Sequence, residues 1–383
     1  MSSKTPSDWN PYSEEILQDQ MTAYDQMRTH CPVAYSEENQ WSLFGYDDIY
    51  NALHDHKVFS NKISKHLSVP NGMDPPQHTP YRELIEPYFS SAAMAEFEPK
   101  CRRIAKALVA TLPRHQNAEI ITTFAQNFAL QVQCTFLGWP FDMQESLRQW
   151  SHKNQAATLA QDRLKLTAVA DEFSCYITTL LQQRRDASDQ AVNDVTTSLL
   201  HAKVAGKLLT DEEIVSILRN WTAGEIGTIA ASIGILIHFI AAHPELQQEL
   251  RDQPEKLLEA IDEILRIHGP LVVNRRRTTC PVTLGQRNIQ AEERVSLYWV
   301  SANRDEKVFE DAQNFRWGRD QSKNLLYGAG IHVCPGLPLA CLELQIVMEE
   351  LLAHTNHVKL SEVLPTNAIY PASGFSSLIV WVE

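Results

Sequence analysis

The sequence predicts a mainly α protein with a small β part, folded as one domain over residues 1–383. Three observations lead there. From Pro80 to about Lys207, apolar residues recur at the i, i+3, i+4, i+7 spacing of amphipathic helices. A capped apolar segment from Thr210 to Ala242 is long enough to run through the centre of a large core. Strand-like stretches are short and lie outside that helical block. With 383 residues, 44% of them apolar, the chain can bury such a core, and no Gly/Ser or Pro linker or internal repeat divides it.

The elements follow in order. Val33–Tyr35 and Gln40–Leu43 read as short strands. Tyr46–Leu53 reads as a helix, with Asp47 and Asp48 in the first turn, where the helix dipole favours them. Ala93–Leu112, Ile120–Leu137 and Leu164–Arg185 are helices by their periodicity. Thr210-Asp211-Glu212-Glu213 is a capping box that opens the long helix. His243-Pro244 closes it, because the residue before proline avoids the helical region. Pro244–Asp252 and Pro254–His268 each carry proline near a helix start. Pro281–Leu284, Arg294–Val300, Val358–Leu360 and Leu378–Val382 read as strands, and Leu337–Leu352 as a helix.

Charge and cysteine usage narrow the function. Against 47 Asp+Glu stand 34 Lys+Arg, a net charge of −13, which disfavours a broad phosphate-binding surface and so a nucleic-acid partner. The opening residues are polar and lack the apolar core of a secretory signal. The longest apolar run, Ile229–Ala242, is broken by Ser232 and His238 and falls short of the about 20 residues that span a bilayer, so no membrane partner is expected. Seven scattered cysteines without a CxxC predict a reducing, cytoplasmic setting.

Three segments carry candidate chemistry. In Tyr327-Gly328-Ala329-Gly330-Ile331-His332-Val333-Cys334-Pro335-Gly336, a cysteine between glycines precedes a helix, so backbone N–H groups can face its sulfur and stabilise a thiolate for a metal. Gly330 and Gly336 permit close approach of a flat ligand. Glu263 and Arg266 share a helix face at i, i+3 and can pair. Thr222-Ala223-Gly224-Glu225-Ile226-Gly227-Thr228 places a carboxylate and two glycines inside the long apolar helix, where they are costly unless something bulky crosses it. A zinc site is disfavoured, since Cys334 and His332 lack a second pair of ligands.

Together these segments resemble the cytochrome P450 family, its bacterial soluble members in particular, over nearly the whole chain. The family's haem loop, F-x-x-G-x-x-x-C-x-G, is matched by Tyr327, Gly330, Cys334 and Gly336, with tyrosine in the first place. The E-x-x-R pair falls on Glu263 and Arg266. Asp74-Pro75-Pro76-Gln77-His78-Thr79-Pro80-Tyr81-Arg82 is similar to D-P-P-x-H-T-x-x-R, and Ala302-Asn303-Arg304-Asp305 with Val308-Phe309 to A-N-R-D-x-x-V-F.

The resemblance implies the cytochrome P450 fold, with the long helix crossing a haem b (iron protoporphyrin IX). It makes Cys334 the metal ligand. It assigns His78, Arg82, His332 and Arg276 to the haem propionates, with Arg275 and Arg277 as neighbouring alternatives to Arg276. A third arginine often joins the Glu263–Arg266 pair; Asn314 stands at its apparent place, so that network is expected to be altered.

One departure bears on chemistry. The family pattern [AG]-G-x-[DE]-[TS], whose acid and alcohol relay protons to dioxygen, can be laid on Ala223 and Gly224. Ile226 then takes the acid position and Gly227 the alcohol position, with Glu225 and Thr228 each displaced by about 100°. The candidate catalytic residues are thus Glu225, Gly227 and Thr228. Gly227 would leave space above the haem and Ile226 an apolar wall, which suits a compact substrate. The Gly-Glu-x-Gly-Thr string is also similar to a group of bacterial members that O-demethylate guaiacol-type methoxyphenols.

By position in the family, the substrate pocket is expected at Ile63, Leu67, Val69, Ala223, Ile226, Gly227, Val272, Val273 and Phe375. None of these is charged, which suits a neutral substrate. Lys62, Lys65 and His66 are expected on the solvated side of their loop.

The implied function is monooxygenation by O2 of a small organic substrate, an aromatic ether or ring in particular. The chain shows no flavin or nicotinamide fingerprint and no four-cysteine cluster motif. Electrons are therefore expected from a separate NAD(P)H-dependent reductase, with or without a ferredoxin, docking near Arg102, Arg103 and Lys323. A peroxide-driven peroxygenase and a non-catalytic haem sensor are the alternatives.

Overall fold

A computed structural model describes residues 7–64, 66–187 and 194–383. Its axis is the helix Asp211–Ala242, 32 residues long. The capping box forms as expected: the Thr210 hydroxyl accepts from the Glu213 N–H, and the Glu213 carboxylate accepts from the Thr210 N–H. Ile214, Ile217, Leu218, Ile226, Ile233, Ile237 and Ile240 are spread round the helix and all are buried. A helix apolar on every side must be surrounded by protein or lipid. This one passes the composition and length test for a bilayer span, but 67% of its most apolar window is buried inside the protein. Around it pack the helices Gln126–Leu137, Arg163–Asp186, Leu257–His268 and Leu337–His354, the last also lying along Ser91–Thr111.

The predicted helices Tyr46–His54, Ser91–Thr111, Arg163–Asp186 and Pro244–Asp252 form within a residue or two of expectation. Three elements differ. The predicted helix from Ile120 begins as a wide turn of π type, Ile121–Ala125, before the regular Gln126–Leu137. The Glu119 carboxylate takes the N–H groups of Ile121 and Thr122, which pulls the entry away from α geometry. Pro254–Lys256 is a tight 3-10 turn, and the α-helix starts at Leu257. The predicted strand Arg294–Val300 stops at Leu297, and Trp299–Ala302 coils into a helical turn.

The main sheet has five strands in the order Val33–Ser36, Gln40–Leu43, Arg294–Leu297, Asn274–Thr278, Phe59–Ser60. A smaller sheet joins Val358–Leu360, Ile379–Val382 and Gln116–Glu119; the last of these was not foreseen. Nor were the N-terminal helices Glu14–Gln18 and Gln20–His30.

A buried polar knot ties the sheet to the helices. Arg266 and Glu263 are both fully buried, with Arg266 Nε 2.8 Å from Glu263 Oε2. Arg266 Nη1 also donates to the carbonyls of Asn303 at 2.5 Å and Ala312 at 2.8 Å. The network is not short of its third arginine: Arg319 Nε donates to Glu263 Oε1 at 2.8 Å, while Asn314 bonds only locally to Asp311. The Ala302–Asp305 segment completes the knot, with Arg304 paired to Asp25 at 2.6 Å and Asp305 accepting from the Tyr46 N–H at 3.0 Å.

Removing one member of a dry ion pair strands the other charge. Arg266→Ala is expected to lower unfolding free energy in urea by about 3–5 kcal/mol. Arg316→Ala, whose partner Glu310 is 83% exposed, should change it by less than about 1 kcal/mol.

Candidate functional site

A cavity of about 430 Å³ lies between the central helix, the helix Leu337–His354 and the loop that precedes it. That loop is closed by its own backbone: Cys334 N–H donates to Tyr327 C=O at 2.9 Å and Val333 N–H to Gly330 C=O at 3.1 Å. Arg82 reaches across and donates to the Val333 carbonyl at 2.6 Å. Cys334, Pro335 and Gly336 line the cavity. A Cβ on Gly336 would sit 3.8 Å from the Cys334 sulfur, so the bare glycine keeps the sulfur's surroundings open. Gly330 has another use. Its φ is +68°, and a Cβ there would lie 2.3 Å from the Leu53 carbonyl oxygen, so it seats the loop on the helix Tyr46–His54 and not on a ligand.

Burial raises the Cys334 thiol above its ordinary value, while the Gly336 N–H and the Arg82 guanidinium pull it down. A metal cation bound to the sulfur would tip this balance to the thiolate.

One edge of the cavity gathers basic side chains, Arg82 among them being paired with Glu86 at 2.9 Å. His332, Arg276 and Arg82 line it. His78 stands behind His332, the two rings meeting edge-on with centroids 4.5 Å apart. The Nε2 atoms of both histidines are buried without a hydrogen-bond partner. Burial, then the neighbouring His78, Arg276 and Arg82, push His332 down to about 3; burial pushes Arg276 down to about 10 against the pull of Asp74. Of the three consecutive arginines, Arg276 is 3% exposed and carries no ion pair, Arg275 bonds the Tyr370 hydroxyl at 3.2 Å, and Arg277 pairs with Glu292 at 2.7 Å. Phe89, Leu265, Leu339, Ala340 and Leu344 add apolar surface to the wall. Haem b has one edge with two carboxylates and an otherwise apolar rim, so the donor set and the basic edge fit it.

The central helix presents Trp221, Gly224, Glu225, Thr228, Ile229 and Ser232 to the cavity, one face at helical spacing. This corrects the expected register. The helix is unbroken α, so Ile226 and Gly227 point elsewhere: Ile226 is 4% exposed in the core, and a Cβ on Gly227 would face Gln155 Nε2 at 3.5 Å. The Thr228 hydroxyl donates to the Gly224 carbonyl. Sliding the family pattern by one residue puts Thr228 in the alcohol place and Gly227 in the acid place. At Gly224 a Cβ would meet nothing within 4 Å, so the open backbone over the cavity is here.

Of the expected pocket residues, only Ile63 lines the cavity. Val69 is fully buried in the core, its N–H held by the Ser216 hydroxyl at 2.8 Å. The Leu67 carbonyl accepts from Arg219 at 2.7 Å, which turns that stretch onto the helix. Ala223 lies on the wrong helical phase. Val272 and Val273 pack with Trp9, Tyr24 and Tyr298, leaving Pro270 and Leu271 on the wall. Phe375 stacks near His238 in a separate cavity of about 160 Å³.

The uncharged lining is also corrected, for Glu225, Arg275 and His66 are on it. His66 borders the cavity while remaining exposed, Lys62 is exposed as expected, and Lys65 lies outside the described residues. Trp221, Trp299, Phe136 and Asn220 were missed. Trp221 could have been found three residues before Gly224 on the same helical face. Among the described residues no three His, Cys, Asp or Glu side chains converge as a metal site.

Arg276→Ala should release haem to excess apomyoglobin more than about tenfold faster, the loss of one charge-assisted contact. Arg277→Ala, 43% exposed and already paired, should leave the rate unchanged.

Comparison with known proteins agrees with this geometry. The family model described as Cytochrome P450 matches residues 16–369. The putative cytochrome P450 YjiB of Bacillus subtilis is 28% identical, over 92% of each chain. Cyclomarin C epoxidase CymV of Salinispora arenicola is 30% identical, over 88% of this chain and 89% of its own. The crystal structure of CYP109E1 from Bacillus megaterium in complex with testosterone superposes with a TM-score of 0.83 at 28% identity, covering 97% of this chain and 99% of that one. Members of this family bind haem b through a cysteine thiolate and use O2, an organic substrate and redox partners. The chain belongs to the cytochrome P450 family.

Proposed function

We propose that the protein inserts one atom of O2 into a C–H bond of an organic substrate lodged against the Trp221–Ser232 face of the central helix. The balance is R–H + O2 + 2 e⁻ + 2 H⁺ → R–OH + H2O, with electrons from a separate NAD(P)H-dependent reductase, with or without a ferredoxin. One observation carries this reading: a single cavity joins the Cys334 sulfur, the bare Gly224 backbone and the Thr228 hydroxyl. When bound, haem b supplies the activation of O2 and the oxygen atom that is transferred.

The chain's own groups do the remainder. Cys334 would hold the iron. His332, Arg276 and Arg82, with His78 behind, would hold the carboxylate edge and fix the plane. Phe89, Phe136, Leu339 and Leu344 keep the interior dry. Thr228, Glu225 and Ser232 offer hydroxyl and carboxyl groups on the helix face, with Thr228 held in place by the Gly224 carbonyl.

The substrate class follows from the lining. Apolar walls with Asn61, Ser68, Asn71 and Asn220 around the rim suit a largely apolar molecule with a few hydroxyl or carbonyl groups. The structures of CYP109E1 with testosterone and corticosterone support that class. The narrower reading, demethylation of a methoxyphenol, assumed Gly227 and Ile226 over the haem. With both turned away, it keeps only the Gly224-Glu225-Ile226-Gly227-Thr228 string as support. For partner docking, Arg102 is engaged by Glu98, Glu349 and Glu350, each at 2.9 Å, which leaves Arg103 and Lys323 as the candidates of the expected three.

Gly224→Leu is expected to abolish the substrate-induced shift of the haem absorption band and cut product to under about a tenth, whereas Gly227→Ala keeps both. Titrating a steroid panel beside guaiacol-type phenols reads out the substrate class. No shift or product with any member, under reductase and NADH, sinks the monooxygenase reading.

A further inference from the structure

We propose that Glu225 and Glu343 hold one proton between them at the wall of the cavity, and that this pair replaces the carboxylic acid absent at Gly227. Glu343 is the positioning residue and Glu225 the group that faces the cavity.

The two carboxyls come from different helices, Glu225 from Asp211–Ala242 and Glu343 from Leu337–His354. Glu343 is 0% exposed, and neither of its oxygens has an ordinary partner. Glu225 lines the cavity, and its Oε1 is buried and equally unpartnered. The carboxyls approach each other within hydrogen-bonding reach. Two carboxylates are both acceptors, so that contact is favourable only if a proton lies in it. Among the described residues no cation bears on the pair to sustain two charges. From the helix Ser91–Thr111 the pair is faced by the Cys101 thiol, and from the loop by Cys334 at longer range. The neighbouring Arg102 is turned to Glu98, Glu349 and Glu350. An unpaired buried carboxylate costs several kcal/mol, so the pair titrates as a unit and keeps its proton at neutral pH. Burial raises both groups above the usual carboxylate range, Glu343 the more strongly.

The position gives the proton a use. Glu225 and Thr228 are one turn apart on the cavity face, at i, i+3. The shared proton passes from Glu225 to the Thr228 hydroxyl or to water beside it, and a proton from solvent restores the pair. No electrons move in this step. Its use in turnover rests on the monooxygenase reading; the shared proton does not.

The test has two arms, both on the haem-loaded protein. Infrared spectra at neutral pH should show a protonated carboxyl band that shifts in D2O and vanishes in Glu225→Gln/Glu343→Gln. The absence of such a band, or its survival in the double variant, overturns the shared proton. Because the folded pair binds its proton more tightly than the unfolded chain, its stabilisation is present at low pH and lost as pH rises. The double variant should therefore gain stability relative to wild type above neutrality. In the second arm, Glu343→Gln should lower product formed per NADH at least about tenfold and raise the solvent isotope effect. Wild-type coupling and isotope effect in Glu343→Gln would overturn the relay while leaving the infrared result standing. A wild-type protein that forms no product at all would count against the monooxygenase reading alone.

Discussion

The constraint on which the other features depend is a buried cysteine sulfur at a cavity wall, which must become anionic to hold a metal. Burial alone favours the neutral Cys334 thiol. The Gly336 N–H answers from the loop and Arg82 from the helix His78–Ile85, Arg82 also gripping the Val333 carbonyl at 2.6 Å and so holding the stretch of loop that carries the cysteine. The loop in turn needs a rigid floor. Gly330 meshes with the Leu53 carbonyl, and the helix carrying Leu53 is capped by Asp305. Asp305 belongs to the segment whose Asn303 carbonyl is held by Arg266. The Glu263–Arg266–Arg319 knot therefore acts on the sulfur at a distance, through three rigid steps.

The charges around the cavity are sorted by sign. At one edge stand the guanidiniums of Arg276 and of Arg82, the latter met by Glu86 at 2.9 Å, with the imidazoles of His332 and His78 beside them. On the wall between two helices stand Glu225 and Glu343, with no cation bearing on them among the described residues. Either group is unfavourable by itself in a low-dielectric interior, and each becomes favourable with one specific addition: two carboxylates at the first, a proton at the second. This separation orients a ligand that is acidic on one edge only, and it keeps the proton-bearing side clear of the cationic one.

The sequence carried the loop plainly, because its glycines and cysteine answer backbone demands that are local and contiguous. The long helix was legible for the same reason: its capping box and the proline after it are local signals. Phase was harder. A one-residue slip along Ala223–Thr228 turns the helix by about 100° and exchanges lining for core, and apolar periodicity cannot detect it in a helix that is apolar all round. The pocket loop has no period at all. How Leu67 and Val69 are turned is settled by Ser216 and Arg219, distant in sequence. Arg319 was overlooked through the spacing after Phe315, and Glu343 because a carboxylate amid Leu and Val signals neither surface nor site until its partner from another helix is known.

The account stands on the sulfur of Cys334 as the iron ligand, and X-ray absorption at the iron edge reads that directly. The haem-loaded wild-type protein should show one sulfur neighbour in the first coordination shell, and Cys334→Ala should show none. A wild-type shell of nitrogen and oxygen only, or a sulfur neighbour that persists in Cys334→Ala, would contradict it.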